Sequence, residues 1–410
     1  MVKWRSRPPE PAFPGRGKRV GVDSIESVVI RRWGAIVAGV AVALASCSQP
    51  DPPPVPGPVH PAWQAMVLPA PPEMSNRVLV RDAVACGGRW YAVGGIAGPA
   101  GENAPAAWTT SDGLVWSAVP MVPSSMYGAR HLLYAVACRD GRMVALGAAS
   151  GGAHGNPRTA TWAQHSDGGL REAPAGFELF GGPRAVSVSR VAAGPLGWLL
   201  VGARLSGAAV WTSRDGERFT VHEALPELAS DDRGRTVAYD AVAVPAGWLA
   251  VGAVLVPGAV PVAWSSSDAR VWRRVELPGA DGRGQAQRVV ATGDAVLAVG
   301  PVRDGFGVWR WADSGWRWAG AFGSGSRGAL SVRALVAAGG RVVTVSIDGD
   351  GYRLWCSADG GGSWRPVALP VEVPAGETAL VVALRDDRLM VFADAGGGSR
   401  AWWAHLSAGC

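Results

Sequence analysis

The sequence predicts an all-β chain, a seven-bladed β-propeller of four-stranded antiparallel blades, and three observations predict it. A pattern of two short apolar segments around a polar or glycine-containing turn returns seven times between residues 83 and 392, which is the signature of a hairpin. Successive copies start 46 to 56 residues apart, the period of propeller blades and long for helical repeats. In most copies a second hairpin signal follows, made of a tryptophan, a turn aspartate and a further aromatic.

The chain opens on a charged leader. Residues 1–46 hold eight Lys or Arg and three Asp or Glu, so the overall charge of +6 falls to about +1 in the remainder. No polybasic patch is left to serve as a nucleic-acid footprint, and no nucleic-acid partner is expected. Both lysines, Lys3 and Lys18, lie in this leader. The rest of the chain therefore has no residue for a Schiff base, a P-loop or a lysine general base. Arg31 and Arg32 precede an uncharged run over residues 33–45 that is too short to span a bilayer as a stable helix. It ends in Leu44-Ala45-Ser46-Cys47, which resembles the lipobox of bacterial lipoprotein signal peptides. The resemblance implies a signal peptide over residues 1–46, diacylglyceryl attachment at Cys47, and a place on the extracytoplasmic face of the cell envelope, with the membrane as partner. An ordinary signal peptide with an incidental cysteine is the alternative. A true start near Val28 or Val29 would account for the long polar stretch ahead of the apolar run.

Residues 47–61 follow with the sequence CSQPDPPPVPGPVHP. So many prolines favour extended polyproline geometry, and the segment reads as a tether that holds the propeller, residues 62–410, away from the membrane.

The repeats then read AVACGGRWYAVGG from Ala83, AVACRDGRMVALG from Ala135, VAAGPLGWLLVG from Val191 and AVAVPAGWLAVG from Ala241. Weaker copies are VVATGDAVLAVG from Val289, LVAAGGRVVTVS from Leu335 and VVALRDDRLMVF from Val381. Nearly continuous apolar runs suit inner strands that are covered on both faces. The second hairpins carry Asp112, Asp167, Asp215, Asp268, Asp313 and Asp359. In the sixth copy Ser357-Ala358-Asp359-Gly360-Gly361-Gly362-Ser363-Trp364 matches S-x-D-x-G-x-[ST]-W in full. These segments resemble the Asp-box repeats of sialidase-like and sortilin-like propellers. The resemblance implies a structural role, in which the carboxylate accepts turn N–H groups and the aromatic packs beneath the hairpin. The last copy has no outer strand of its own, whereas residues 63–69, WQAMVLP, match the outer strands WRRVELP at 272–278 and WRPVALP at 364–370. The N-terminal segment is expected to close the seventh blade, leaving no free edge.

Chemistry is sparser. An exported protein could oxidise Cys86, Cys138, Cys356 and Cys410; Cys86 and Cys138 hold equivalent places in successive repeats, so their pairing is conceivable, and neither a metal-ligand spacing nor a CxxC motif is present. The histidines are scattered, so neither a metal site nor a cofactor is expected. The residues just before each inner-strand motif are Asp82, Tyr134, Arg190, Asp240, Arg288, Ala334 and Leu380. They should ring one mouth of the channel, where Asp82, Tyr134, Arg190, Asp240 and Arg288 are candidates to bind a polar ligand. A sialidase would need an early R-I-P motif, which is absent. A glycosidase needs two carboxylates at a set separation, and Asp82 and Asp240 fall in opposite copies, too far apart. No catalytic set is found. The favoured expectation is a non-catalytic, envelope-anchored binding or assembly module for an unidentified protein or glycan; the alternative is a surface glycan hydrolase of sialidase-like propeller type.

Overall fold

The computed structural model describes residues 57–410 except 71–76, 99–100, 152–156, 294, 314 and 324–327; the leader and Cys47 lie outside the described residues. The repeats fold as seven sheets arranged as a seven-bladed propeller. Blade 1 consists of Arg77–Cys86, Arg89–Ala97, Asn103–Thr110 and Ser117–Ala118, paired in that order from the channel outward. The inner strands of blades 2 to 7 are Leu132–Arg139, Ala185–Gly194, Arg235–Val244, Arg288–Ala291, Leu330–Ala338 and Ala379–Arg385.

Closure follows the expectation. Gln64–Met66 pairs antiparallel with Ser399–His405, setting Gln64 opposite Trp403 and Met66 opposite Ala401, and so supplies the outer strand of blade 7. The end of the proline-rich stretch is no free tether, however. Val59 bridges Val367 in the outer strand of blade 6, donating its N–H to the Pro366 carbonyl at 2.8 Å and accepting the Ala368 N–H at 2.8 Å. Trp63 Nε1–H then bonds the Ala368 carbonyl. The physical reason is that an extended proline-rich backbone still carries carbonyl acceptors, and Val59 is not a proline, so its N–H is free to bond an outer strand.

Tryptophans organise each blade. Trp108, Trp162, Trp211, Trp264 and Trp309, all on third strands, are wholly buried, and a buried indole N–H needs an acceptor. In four of them it donates to the linker entering the blade: Trp108 to the Pro69 carbonyl, Trp211 to Leu179, Trp264 to Glu227 and Trp309 to Pro278. Pro69 thus occupies the post that Pro278 holds between blades 4 and 5. Cys86 and Cys138 are joined in a disulfide that ties the inner strands of blades 1 and 2.

The inner strands begin before the apolar motifs, and in five of the seven blades a β-bulge bends the inner strand and breaks the sequence pattern. Pairing slips between Val80 and Asp82, Leu133 and Ala135, Val188 and Arg190, Ala238 and Asp240, and Val332 and Ala334. The glycine that ends the second segment of the motif makes room for the bulge. A Cβ on Gly94 would lie 1.7 Å from the Leu79 carbonyl oxygen, and one on Gly252 would lie 1.9 Å from that of Val237. No side chain fits there.

Candidate functional site

The bulges set the channel residues. Because the inner strands start at Arg77, Ala185 and Arg235, the residues Asp82, Arg190 and Asp240 stand partway along the channel and not at its rim. Register also differs from the expectation in two blades. The inner hairpins of blades 2 and 7 close on Arg139 with Arg142 and on Arg385 with Arg388, one residue later in the motif than Cys86 with Arg89. Ala135 and Val381 therefore stand where Asp82 stands, and Tyr134 falls into the bulge position held by Arg81 in blade 1.

Tyr134 spends its hydroxyl within the fold, donating to the Val188 carbonyl of blade 3 at 2.8 Å. Burial pushes the phenol well above its ordinary range, so it stays a neutral donor. The two aspartates are also engaged. Asp82 accepts the N–H of Ala83 on Oδ1 and that of Val136 in blade 2 on Oδ2. Asp240 does the same with Ala241 and with Val289 in blade 5. Gln287 Oε1 likewise accepts the Val332 N–H of blade 6.

Four arginines share the channel with these groups. Arg190 donates to Asp82 at 2.7 Å and to the Arg333 carbonyl at 3.0 Å. Arg288 donates to the same carbonyl at 2.9 Å and to that of Gln287. Arg81 pairs with Asp394, a fully buried carboxylate that also accepts the N–H groups of Gly396 and Gly398. Burial drives the Asp240 carboxyl upward, against the pull of Arg288 and Arg190. Arg190 bonds Asp82 and acts electrostatically on Asp240.

Arg333 is the residue that sequence reasoning missed. It occupies the bulge position before Ala334, is exposed, and its guanidinium makes no hydrogen bond or ion pair with the described residues. A cavity of about 310 Å³ lies here, lined by Arg81, Asp82, Arg190, Arg288, Arg333 and Tyr352 and reaching Tyr134, Ala334 and Leu380. The signal that could have found Arg333 is positional: it aligns with Arg81 once the bulge is allowed for. Arg81, Arg190, Arg288 and Arg333 stand against Asp82, Asp240 and Asp394, an excess of one positive charge. Such a cavity suits an anionic group held by guanidinium N–H donors.

The turn aspartates divide into two sets. Asp112 Oδ1 accepts the N–H groups of Leu114 and Val115 and the Thr110 hydroxyl, while Gly113 N–H bonds the Thr110 oxygen. Asp215 with Ser213, Asp268 with Ser266 and Asp359 with Ser357 repeat this arrangement. Asp167 and Asp313 do not. They bond Arg171 and Arg317, and Asp167 keeps one turn N–H, that of Gly169, but neither is tied to an upstream hydroxyl. The reason lies two residues upstream, where His165 and Trp311 replace the hydroxyl residue that anchors the turn. Among the described residues no group of three His, Cys, Asp or Glu is placed to hold a metal ion.

The fold and its centre define a seven-bladed propeller with an arginine-rich channel. No known protein family matches the chain, and no curated protein matches it. Among solved structures it is similar to YCF48 from Cyanidioschyzon merolae, at 13% identity and a TM-score of 0.51, over 84% of this chain and 98% of that one. It is also similar to the phage phi92 endosialidase, at 8% identity and a TM-score of 0.49, over 85% of this chain and 69% of that one. Trypanosoma rangeli sialidase in complex with sialic acid aligns at 12% identity and a TM-score of 0.42, over 86% and 60%. These neighbours are sialidase-like and other β-propellers, and at such identities the likeness shows the fold alone.

Proposed function

We propose that the protein is an exported, lipid-anchored, non-catalytic binding module whose channel holds a protein or glycan partner through an anionic group such as a carboxylate or sulfate. The observation that carries this reading is the Arg333 guanidinium, which bonds none of the described residues, in a cavity whose carboxylates are already engaged with backbone N–H groups and arginines. Export is supported by the lipobox-like ending at Cys47 and by the Cys86–Cys138 disulfide, since such bonds persist in oxidising compartments. The kinship of the turn aspartates with Asp-box repeats fits the same class of propeller. A second reading, glycan hydrolysis, rests on Asp240, whose carboxyl is pushed up by burial as a general acid's would be. Both of its oxygens are bonded to backbone N–H groups, and this favours the binding reading.

The test compares wild type with Arg333→Ala, a change that removes no interaction of the fold. Thermal-shift titrations with inorganic sulfate, glucuronate and neutral glucose are run beside pull-downs from solubilised native envelope. The expected result is an upward shift with the two anions and capture of a partner, both lost in Arg333→Ala at unchanged melting. Equal capture by the two proteins would overturn the channel as the site. Arg190→Ala with Arg288→Ala is the poorer probe, because both arginines hold the Arg333 carbonyl and one holds Asp82.

A further inference from the structure

The ring seam between blades 6 and 7 is gathered by one residue. Arg365, on the outer strand of blade 6, donates from Nη2 and Nε to the carbonyl of Gly57, just ahead of the closing strand. From Nη1 it donates to the carbonyl of Gly409, beyond the last strand. The segment after His405 is held at further points: Leu406 N–H bonds the Asp387 carbonyl, Arg341 Nε–H bonds that of Ser407, and Leu406 is buried.

Docked in this way, the segment places Cys410 against Cys356 on the third strand of blade 6. Cys356 Sγ–H donates to the Cys410 carbonyl oxygen at 3.6 Å. Both are buried, in one apolar cluster with Val343, Leu389 and Leu406. Two buried cysteines brought together in one apolar cluster, one thiol bonded to the other residue's backbone, are candidates for a bond in a chain that already carries one disulfide.

We infer that Cys356 and Cys410 form a second disulfide, which fastens the segment after the last strand of blade 7 to blade 6. The oxidant is a low-molecular-weight or protein disulfide, acting as the segment docks during folding. The Cys410 thiolate attacks the oxidant disulfide, forming a mixed disulfide and releasing one thiol. The Cys356 thiol then gives up its proton and attacks the Cys410 sulfur, expelling the second thiol. Two protein thiols lose two protons and two electrons, and one disulfide of the oxidant becomes two thiols. The inference is independent of what the channel binds.

The test is peptide mapping of the full-length exported protein, denatured in N-ethylmaleimide and digested without reduction. The expected product is a Cys356 peptide joined to a Cys410 peptide, alongside the Cys86–Cys138 pair. Recovery of Cys356 and Cys410 as two alkylated peptides would overturn the inference. In a second measurement, reduced protein is refolded in a glutathione redox buffer: wild type should lose four thiols and Cys410→Ser two. Cys356→Ser and Cys410→Ser should each lower Tm by several degrees, and the double variant by no more than either, whereas additive losses would count against a shared bond.

Discussion

Asp82 in blade 1 and Asp240 in blade 4 make the same pair of hydrogen bonds three blades apart. In each, one oxygen accepts the N–H of the following residue, at 3.0 and 2.9 Å, and the other crosses to the inner strand of the next blade, at 2.9 and 3.2 Å. An inner strand is the edge of its sheet, so it carries N–H groups toward the channel that the ladder does not use, and a carboxylate is a strong acceptor for them. These aspartates therefore staple neighbouring blades along the channel wall.

Asp82→Ala should leave the Ala83 and Val136 N–H groups without their acceptor and the Arg190 guanidinium with the Arg333 carbonyl as its remaining one. Loss of these charge-assisted bonds and of the carboxylate beside a part-buried cation costs about 3 kcal/mol. Urea unfolding followed by tryptophan fluorescence should show that loss, and an unchanged midpoint would mean that the staple carries no stability.

The turns give a paired comparison. Asp215→Ala removes the acceptor for two backbone N–H groups and the Ser213 hydroxyl, a loss of about 1 to 2 kcal/mol. Asp313→Ala removes an exposed ion pair with Arg317 and should leave the midpoint unchanged. Equal effects would show that the missing upstream hydroxyl residue is not what separates the two sets.

Acid sensitivity follows from the same turns. The N–H groups of Leu114 and Val115, with the Thr110 hydroxyl, hold the Asp112 carboxyl down to about 2, below its ordinary 3.8. Because the folded-state value is the lower one, its contribution is complete above about pH 4 and is lost as pH falls through about 2. Denaturant midpoints taken from pH 5 down to pH 2 should decline, and Asp112→Asn should flatten part of that decline.

Deleting residues 63–69 should strip blade 7 of its outer strand and expose the edge of Ser399–His405. The expected outcome is earlier, less cooperative melting or loss of solubility. A truncated protein that melts like wild type would show that this strand is dispensable for closure.

Cys47→Ala should abolish lipid labelling and leave precursor or soluble protein, because two acyl chains hold a protein to a bilayer far more firmly than one. Labelling that survives the change would remove the anchor from the proposal.

Blade number, hairpins and closure could be read from the chain because each repeats, and repetition makes a weak local signal strong. The Trp-Pro segment at 63–69 was recognisable for the same reason, having copies at 272–278 and 364–370. The bulges escaped notice, since an extra residue such as Arg81 or Ser189 interrupts the alternation that marks a strand. With them went the first halves of the inner strands, the register of Tyr134 and the place of Arg333. Asp313 and Asp167 looked like the other turn residues because the pattern was judged on the aspartate, whereas the geometry depends equally on the hydroxyl two positions earlier. Arg365 left no trace at all, since its meaning lies in two carbonyls, of Gly57 and Gly409, some 350 residues apart in sequence.

The pairing of Gln64 with Trp403 also dictates a timetable. Every other blade can zip up from strands made within about fifty residues of one another, but the strand synthesised first finds its partner last. Bringing such distant ends together costs about 2 kcal/mol more in chain entropy than closing a single blade. Long-range pairing of this kind is slow to form. The nascent chain must therefore carry Gln64–Met66 unpaired until residues 399–405 have emerged, and the final blade is the step at which folding of the ring becomes all or none.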